Sequence, residues 1–188
     1  MEIFIFFGPP GVGKGTQAKK FALKHGLKHI STGDLLRQEV AKNTELGRAV
    51  KQYIDQGSLV PDLMVIKIVE EQIKDGVDTP GFVFDGFPRT LEQAKALDEM
   101  ITANRQKIRQ VISLEVDEEE TTKRLLFRAK LEGRSDDTKE AIQNRFNIYH
   151  ALTEPILDYY HLQRKLETVD GTGTIEEVEV KIDAVAEI

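Results

Sequence analysis

No cysteine occurs among the 188 residues, which excludes disulfides, thiol nucleophiles and thiolate-held zinc. No apolar run approaches the length needed to cross a bilayer, and no signal-peptide pattern precedes the first apolar segment. Positive charge is in deficit: 26 Lys and Arg against 32 Asp and Glu leave a formal net charge of −6. That balance argues against nonspecific nucleic-acid binding as the main task. His25, His29, His150 and His161 share no metal-ligand spacing and read as surface or packing residues. Internal repeats and low-complexity linkers are missing too. What remains is a normal globular balance, 40% hydrophobic and 31% charged, in a chain long enough for one buried core with small appended lobes. The expectation is a cytoplasmic monomer with neither a membrane nor a nucleic acid as partner.

The chain is organised around Gly8-Pro9-Pro10-Gly11-Val12-Gly13-Lys14-Gly15-Thr16. Ile3-Phe4-Ile5-Phe6-Phe7 ahead of it reads as a parallel strand buried on both faces. The helix-forming Gln17–Leu23 follows it. A strand, a glycine-rich turn and a helix together form the setting of a phosphate-binding loop. There, backbone N–H groups and the helix N-terminus surround an anion. Lys14 then reaches the outer phosphates and Thr16 a Mg²⁺. The usual pattern places Ser or Thr directly after the lysine; here Gly15 intervenes.

Further strands are expected at 27–30, Phe82–Asp85, Val111–Leu114 and 166–169, alternating with helices. Ser31 and Asp34 can cap the second helix, which opens at Leu35, and another spans 45–56. From Asp62 onward Leu63, Ile66, Val69 and Ile73 recur at helical spacing and are expected to face the core. Gly133–Asp137 interrupts a helical region, and Pro155 marks a kink or break in a long helix. Thr174-x-x-Glu177 is a capping box for a final helix. Alternating strands and helices imply an α/β fold with a parallel sheet covered on both faces.

Ligands of such sheets sit beyond the carboxyl ends of the strands. Thr32, Asp34 and Asp85 fall there, and Asp85, ending an apolar run, suits a Mg²⁺ held directly or through water, with Asp34 as a second acid. A helix or turn cap is the alternative for Asp85. Arg37, Arg89, Arg128, Arg134 and Arg145 lie near predicted loop edges. Arg124 and Arg128 repel at four-residue spacing; Glu120 can pair with Arg124, but Arg128 has no evident partner in its helix. Arg89, after Gly86-Phe87-Pro88, suits aiming a guanidinium at a phosphate. Gln93 reads equally as a capping-box partner of Thr90 or as a base-recognition residue.

Taken together, these motifs resemble the adenylate kinase family. Gly8 to Ala18 matches its phosphate loop, including the Gly between Lys and Thr. Ser31-Thr32-Gly33-Asp34-Leu35-Leu36-Arg37 and Phe84-Asp85-Gly86-Phe87-Pro88-Arg89-Thr90-x-x-Gln93-Ala94 match its two acceptor motifs. The resemblance implies a three-layer P-loop NTPase fold with a five-stranded parallel sheet. The core would be 1–30, 61–126 and 138–188, with a nucleoside-monophosphate lobe at 31–60 and a short lid at 127–137 that lacks zinc. It implies that Gly11, Val12, Gly13, Lys14, Gly15 and Thr16 hold ATP phosphates, with Arg124 and Gly173 near the adenine. Thr32, Arg37, Ser58, Leu59, Val60, Gly86, Phe87, Pro88, Arg89 and Gln93 would hold AMP. Lys14, Arg89, Arg128, Arg134 and Arg145 would converge on the exchanged phosphates, Mg²⁺ coming with ATP and ADP being the product. UMP/CMP kinases share the short lid but usually show Ala and Asn where Thr32 and Thr90 stand. A nucleotide-binding switch without transfer is a further alternative, one with no need for Arg128, Arg134 and Arg145.

Overall fold

The computed structural model describes residues 1–76, 78–134 and 136–186. Five parallel strands form one sheet: β1 (Glu2–Phe7), β2 (Lys28–Ser31), β3 (Gly81–Asp85), β4 (Gln110–Glu115) and β5 (Leu166–Asp170), in spatial order β2-β3-β1-β4-β5. Alternation within β1 divides the core. Phe4 and Phe6 pack with Ala18, Phe21, Val178 and Ile182 from α1 (Lys14–His25) and α9 (Ile175–Val185). Ile3, Ile5 and Phe7 face the other layer, α4 (Asp62–Lys74), α5 (Leu91–Ala103) and α8 (Pro155–Leu162). With both faces covered, the central strands read as continuous apolar runs.

Two helical insertions lean over the carboxyl ends of the strands. After β2 come α2 (Thr32–Ala41) and α3 (Glu45–Asp55); after β4 come α6 (Glu118–Glu132) and α7 (Lys139–Ile148). Leu125 of α6 packs with Ile142 and Phe146 of α7 in a separate small cluster. Asn144 of α7 donates from Nδ2 to the Gln56 carbonyl at 2.9 Å and to Ser58 Oγ at 3.1 Å, which ties the two insertions together.

Local chemistry explains the boundaries. Ser31 Oγ accepts from the Asp34 N–H and is the cap of α2, whereas Asp34 lies in the first turn beside Arg37. Thr174 and Glu177 form the expected capping box. Pro155 occupies the first turn of α8 after a π-helical turn at Tyr149–Thr153, so the long helix divides into three pieces. α6 runs unbroken through Phe127 to Glu132, and Ser135 of the expected interruption lies outside the described residues. Val69 and Ile73 of α4 are buried as expected and Ile66 packs against the core, but Leu63 is 82% exposed and Val65 takes its place. The buried stripe runs Val65, Val69, Ile73, so the expected spacing meets it at its last two positions and departs at the first.

Candidate active site

The phosphate-loop residues stand between β1 and α1, where strand and helix force the turn. Gly11, at φ +83°, presses on α6: a Cβ there would sit 2.5 Å from the Thr121 carbonyl and 2.8 Å from Leu125 Cγ. The glycine is required both by backbone conformation and by close approach. The inserted Gly15 has an equally local cause. A Cβ on it would stand 3.1 Å from Asp85 Oδ2, so a larger residue after the lysine would press on the β3 carboxylate where it lies against α1. Thr16 is exposed at the same end of α1. Arg124 Nη1 reaches the Val12 carbonyl at 3.4 Å while its Nε pairs with Glu120, as expected. The 171–173 turn passes Val12 from the other side, a Cβ at Gly171 falling 3.4 Å from Val12 Cγ2.

Two clefts open beyond the strand ends. One, of about 610 Å³, is lined by Thr32, Arg37, Ser58, Leu59, Val60, Gly86, Arg89, Gln93 and Arg145 among others. The second, of about 500 Å³, is lined by Gly8, Pro10, Lys14, Pro88 and Thr153. Gly57, Leu59, Gly86, Arg89 and Arg145 line both, so the clefts share one wall.

Positive charge concentrates at that wall. Lys14 Nζ donates to the Pro9 carbonyl at 3.2 Å. Enclosure lowers its ammonium from the ordinary 10.5 to about 8; Asp85 opposes the fall, and Arg89, Arg145 and Arg128 reinforce it. Burial depresses Arg89 and Arg145 too, each further lowered by neighbouring guanidinium groups. The counter-charge comes from the loop after α6. Asp137, its side chain fully buried, accepts from Arg128 Nε and Nη2 at 2.7 Å each and from Arg145 Nη1 at 2.8 Å. Asp136 takes both forks of Arg134 at 3.1 Å and stands 3.5 Å from Arg37. Arg89 instead donates Nε to the Gly86 carbonyl at 2.8 Å, and among the described residues no carboxylate lies within 4.0 Å of it.

Sequence comparison matches residues 6–165 to the family model described as adenylate kinase. The chain belongs to the adenylate kinase family. It is 45% identical over 183 residues to an adenylate kinase of Thermus thermophilus, covering 97% of this chain and 96% of that one. An adenylate kinase of Archaeoglobus fulgidus is 44% identical over 210 residues, covering 97% of each chain. One from Porphyromonas gingivalis is 46% identical over 178 residues, covering 95% of this chain and 92% of that one.

Within this adenylate kinase fold the expected site residues divide. Thr32 Oγ1 donates to the Gly86 carbonyl at 2.8 Å, joining the two acceptor motifs. Phe87 lines neither cleft; it is 1% exposed and packs against Phe84 in the core. The Phe87–Pro88 peptide is cis, and Pro88 turns to the Lys14 side. Asp34 is paired with Arg37 on an exposed edge, whereas the Asp85 carboxylate lies beside the phosphate loop. Gln93 forms half of a capping box: Thr90 Oγ1 accepts its N–H, but its own side chain goes to the Arg89 N–H and to Asp62. Asp62, Asp136, Asp137 and Asn144 escaped the sequence reading. Only Asp136 and Asp137 carried a signal, an acidic pair one residue beyond Arg134.

The Lys14 shift gives a testable sign. The unfolded chain holds that proton to about 10.5 and the folded one only to about 8, so between those values the unfolded state binds more protons. Stability of the nucleotide-free protein therefore gains from rising pH across this window. Urea midpoints from pH 8 to 10, wild type minus Lys14→Met, should climb; a flat difference would contradict the assignment.

Proposed function

We propose that this chain catalyses MgATP + AMP ⇌ 2 ADP, with the acceptor in the Gln93 cleft and the donor phosphates at Lys14. The chain is a nucleoside monophosphate kinase, a phosphotransferase of the P-loop class. The observation that carries the residue assignment is the common wall: Arg89 and Arg145 border both clefts, where a phosphoryl passing between them would travel. The acceptor oxygen of a monophosphate is already mostly anionic at neutral pH, its second pKa being about 6, so no general base is needed. The work left to the protein is to juxtapose two polyanions and to stabilise charge spreading over the moving group.

In this reading Lys14, Arg128, Arg134 and Arg145 supply fixed positive charge, and Arg124 and the Gly173 turn flank the donor base. Thr16 and Asp85 would hold Mg²⁺ arriving with the donor, since the Asp85 carboxylate lies against Gly15 and forms no ion pair within 4.0 Å among the described residues. The ion would neutralise charge on the donor phosphate oxygens. Residues 31–60 act as the acceptor lobe and 127–137 as the lid; their closure keeps water from the phosphoryl group. The Asn144 bonds to Gln56 and Ser58 and the Arg37–Asp136 pair are the contacts available to that closure.

A coupled assay offering AMP, CMP, UMP and GMP separately with MgATP tests the proposal. AMP is expected to be the preferred acceptor; preference for CMP or UMP, or no turnover of AMP, would overturn it.

A further inference from the structure

We propose that Asp62 sets the base specificity of the acceptor cleft by fixing which way the Gln93 amide faces. Gln93 is 2% exposed and lines the cleft, so its orientation is set by the protein rather than by water. Two neighbours determine it, and neither is ambiguous. The Arg89 backbone N–H can only donate, and it meets Oε1 at 2.8 Å. The Asp62 carboxylate accepts, and its Oδ1 meets Nε2 at 2.8 Å. Thr90 closes the circuit: its hydroxyl accepts the Gln93 N–H at 3.2 Å and donates to Asp62 Oδ2 at 2.9 Å. Every bond in this circuit has one permitted direction.

An amide carries two lone pairs on oxygen and two hydrogens on nitrogen. Arg89 takes one lone pair and Asp62 one hydrogen, leaving one acceptor and one donor. That remainder complements a base edge with an amino group beside an unprotonated ring nitrogen, as in a 6-aminopurine. A 6-oxopurine presents the opposite pattern, oxygen against Oε1 and N–H against Nε2. Turning the amide over to suit it would set Nε2 against the Arg89 N–H and Oε1 against the Asp62 carboxylate. Both clashes fall on the buried Gln93 amide, against part-buried partners, where unpaired polar groups are unfavourable. Asp62 is thus a specificity-determining residue that touches the nucleotide only through Gln93. This rests on the assignment of the Gln93 cleft to the acceptor.

AMP and IMP differ in the groups this filter reads. With MgATP as donor, the wild-type chain is expected to prefer AMP by kcat/KM ~10³-fold or more, as sites with buried hydrogen-bond partners do. In Asp62→Asn one of the two locks is lost, and that ratio should fall by about tenfold or more while KM for ATP stays put. Asp62→Glu keeps the carboxylate and should recover part of the ratio, and it serves also if the Asn variant does not fold. A ratio unchanged within twofold in Asp62→Asn, or a wild type that phosphorylates IMP as readily as AMP, overturns the inference. Inactivity of the wild type toward AMP would overturn the acceptor assignment instead, which keeps the two failures apart.

Discussion

Replacing Asp137 with alanine should destabilise the protein by about 3–5 kcal/mol, the usual loss when one member of a buried ion pair is removed. The carboxylate is fully enclosed and holds Arg128 by two bonds and Arg145 by a third, with Arg134 3.8 Å away. Without it, three guanidinium groups face each other and the Lys14–Arg89 wall, with Asp136 and, at the edge, Glu132 left as carboxylates beside Arg134 among the described residues. For a chain of this size the midpoint of thermal unfolding should fall by roughly 6–20 °C. Inorganic tripolyphosphate should restore more of the midpoint in Asp137→Ala than it adds to the wild type, because the phosphates replace the missing negative charge. A variant that melts within about 2 °C of the wild type would show that the arginines do not depend on Asp137. The pair Asp136–Asp137 matters for chemistry as well as stability. Donors aimed in advance need no reorganisation when charge develops, and these carboxylates keep the guanidinium groups assembled before any nucleotide arrives.

The difference between what the sequence disclosed and what it concealed follows from the range of the interactions. Phosphate loop, strands and caps are local: Gly11 to Thr16, the apolar run of β1 and Thr174-x-x-Glu177 each act within a few residues, so their pattern is visible in one dimension. The order of the acceptor motifs made the family legible, and with it most of the cleft. Arg128 looked unpaired because its partner, Asp137, lies beyond the end of its helix. Asp62 looked like the start of an ordinary helix because its two partners, Thr90 and Gln93, are 28 and 31 residues away. Phe87 was named with Gly86, Pro88 and Arg89 as an AMP-holding stretch, yet motif membership says nothing about which way a side chain turns, and its ring packs against Phe84 in the core. Gln93 was open between cap and base reader; the structure gives its backbone N–H to the cap and its side-chain amide to the cleft wall.

The substitution Arg89→Ala is the most direct test of the acceptor assignment, and it should weaken AMP binding by about 2–4 kcal/mol, or roughly 30- to 1000-fold. The argument starts from what already occupies the side chain. Its Nε is taken by the Gly86 carbonyl, its backbone N–H by Gln93 and its carbonyl by Thr153 Oγ1 at 2.9 Å. The residue is thereby clamped at every point except the outer guanidinium nitrogens, which lack a carboxylate within 4.0 Å among the described residues. Burial depresses this guanidinium, so it sits in an environment that favours a negative partner. Arg37, Arg134 and Arg145 all have acidic partners within the protein, whereas Arg89, like Lys14, has no ion pair among the described residues. A phosphate on the acceptor would complete it, with the planar fork matching two oxygens at once. KM for ATP should move by less than about threefold, since the proposed donor site is built on Lys14 and the loop backbone. Turnover should fall as well, because Arg89 also borders the Lys14 cleft. Steady-state kinetics with each nucleotide varied in turn would separate these effects. Equal losses for AMP and ATP would move Arg89 from the acceptor to the group being transferred, and an unchanged KM for AMP would remove it from the site altogether.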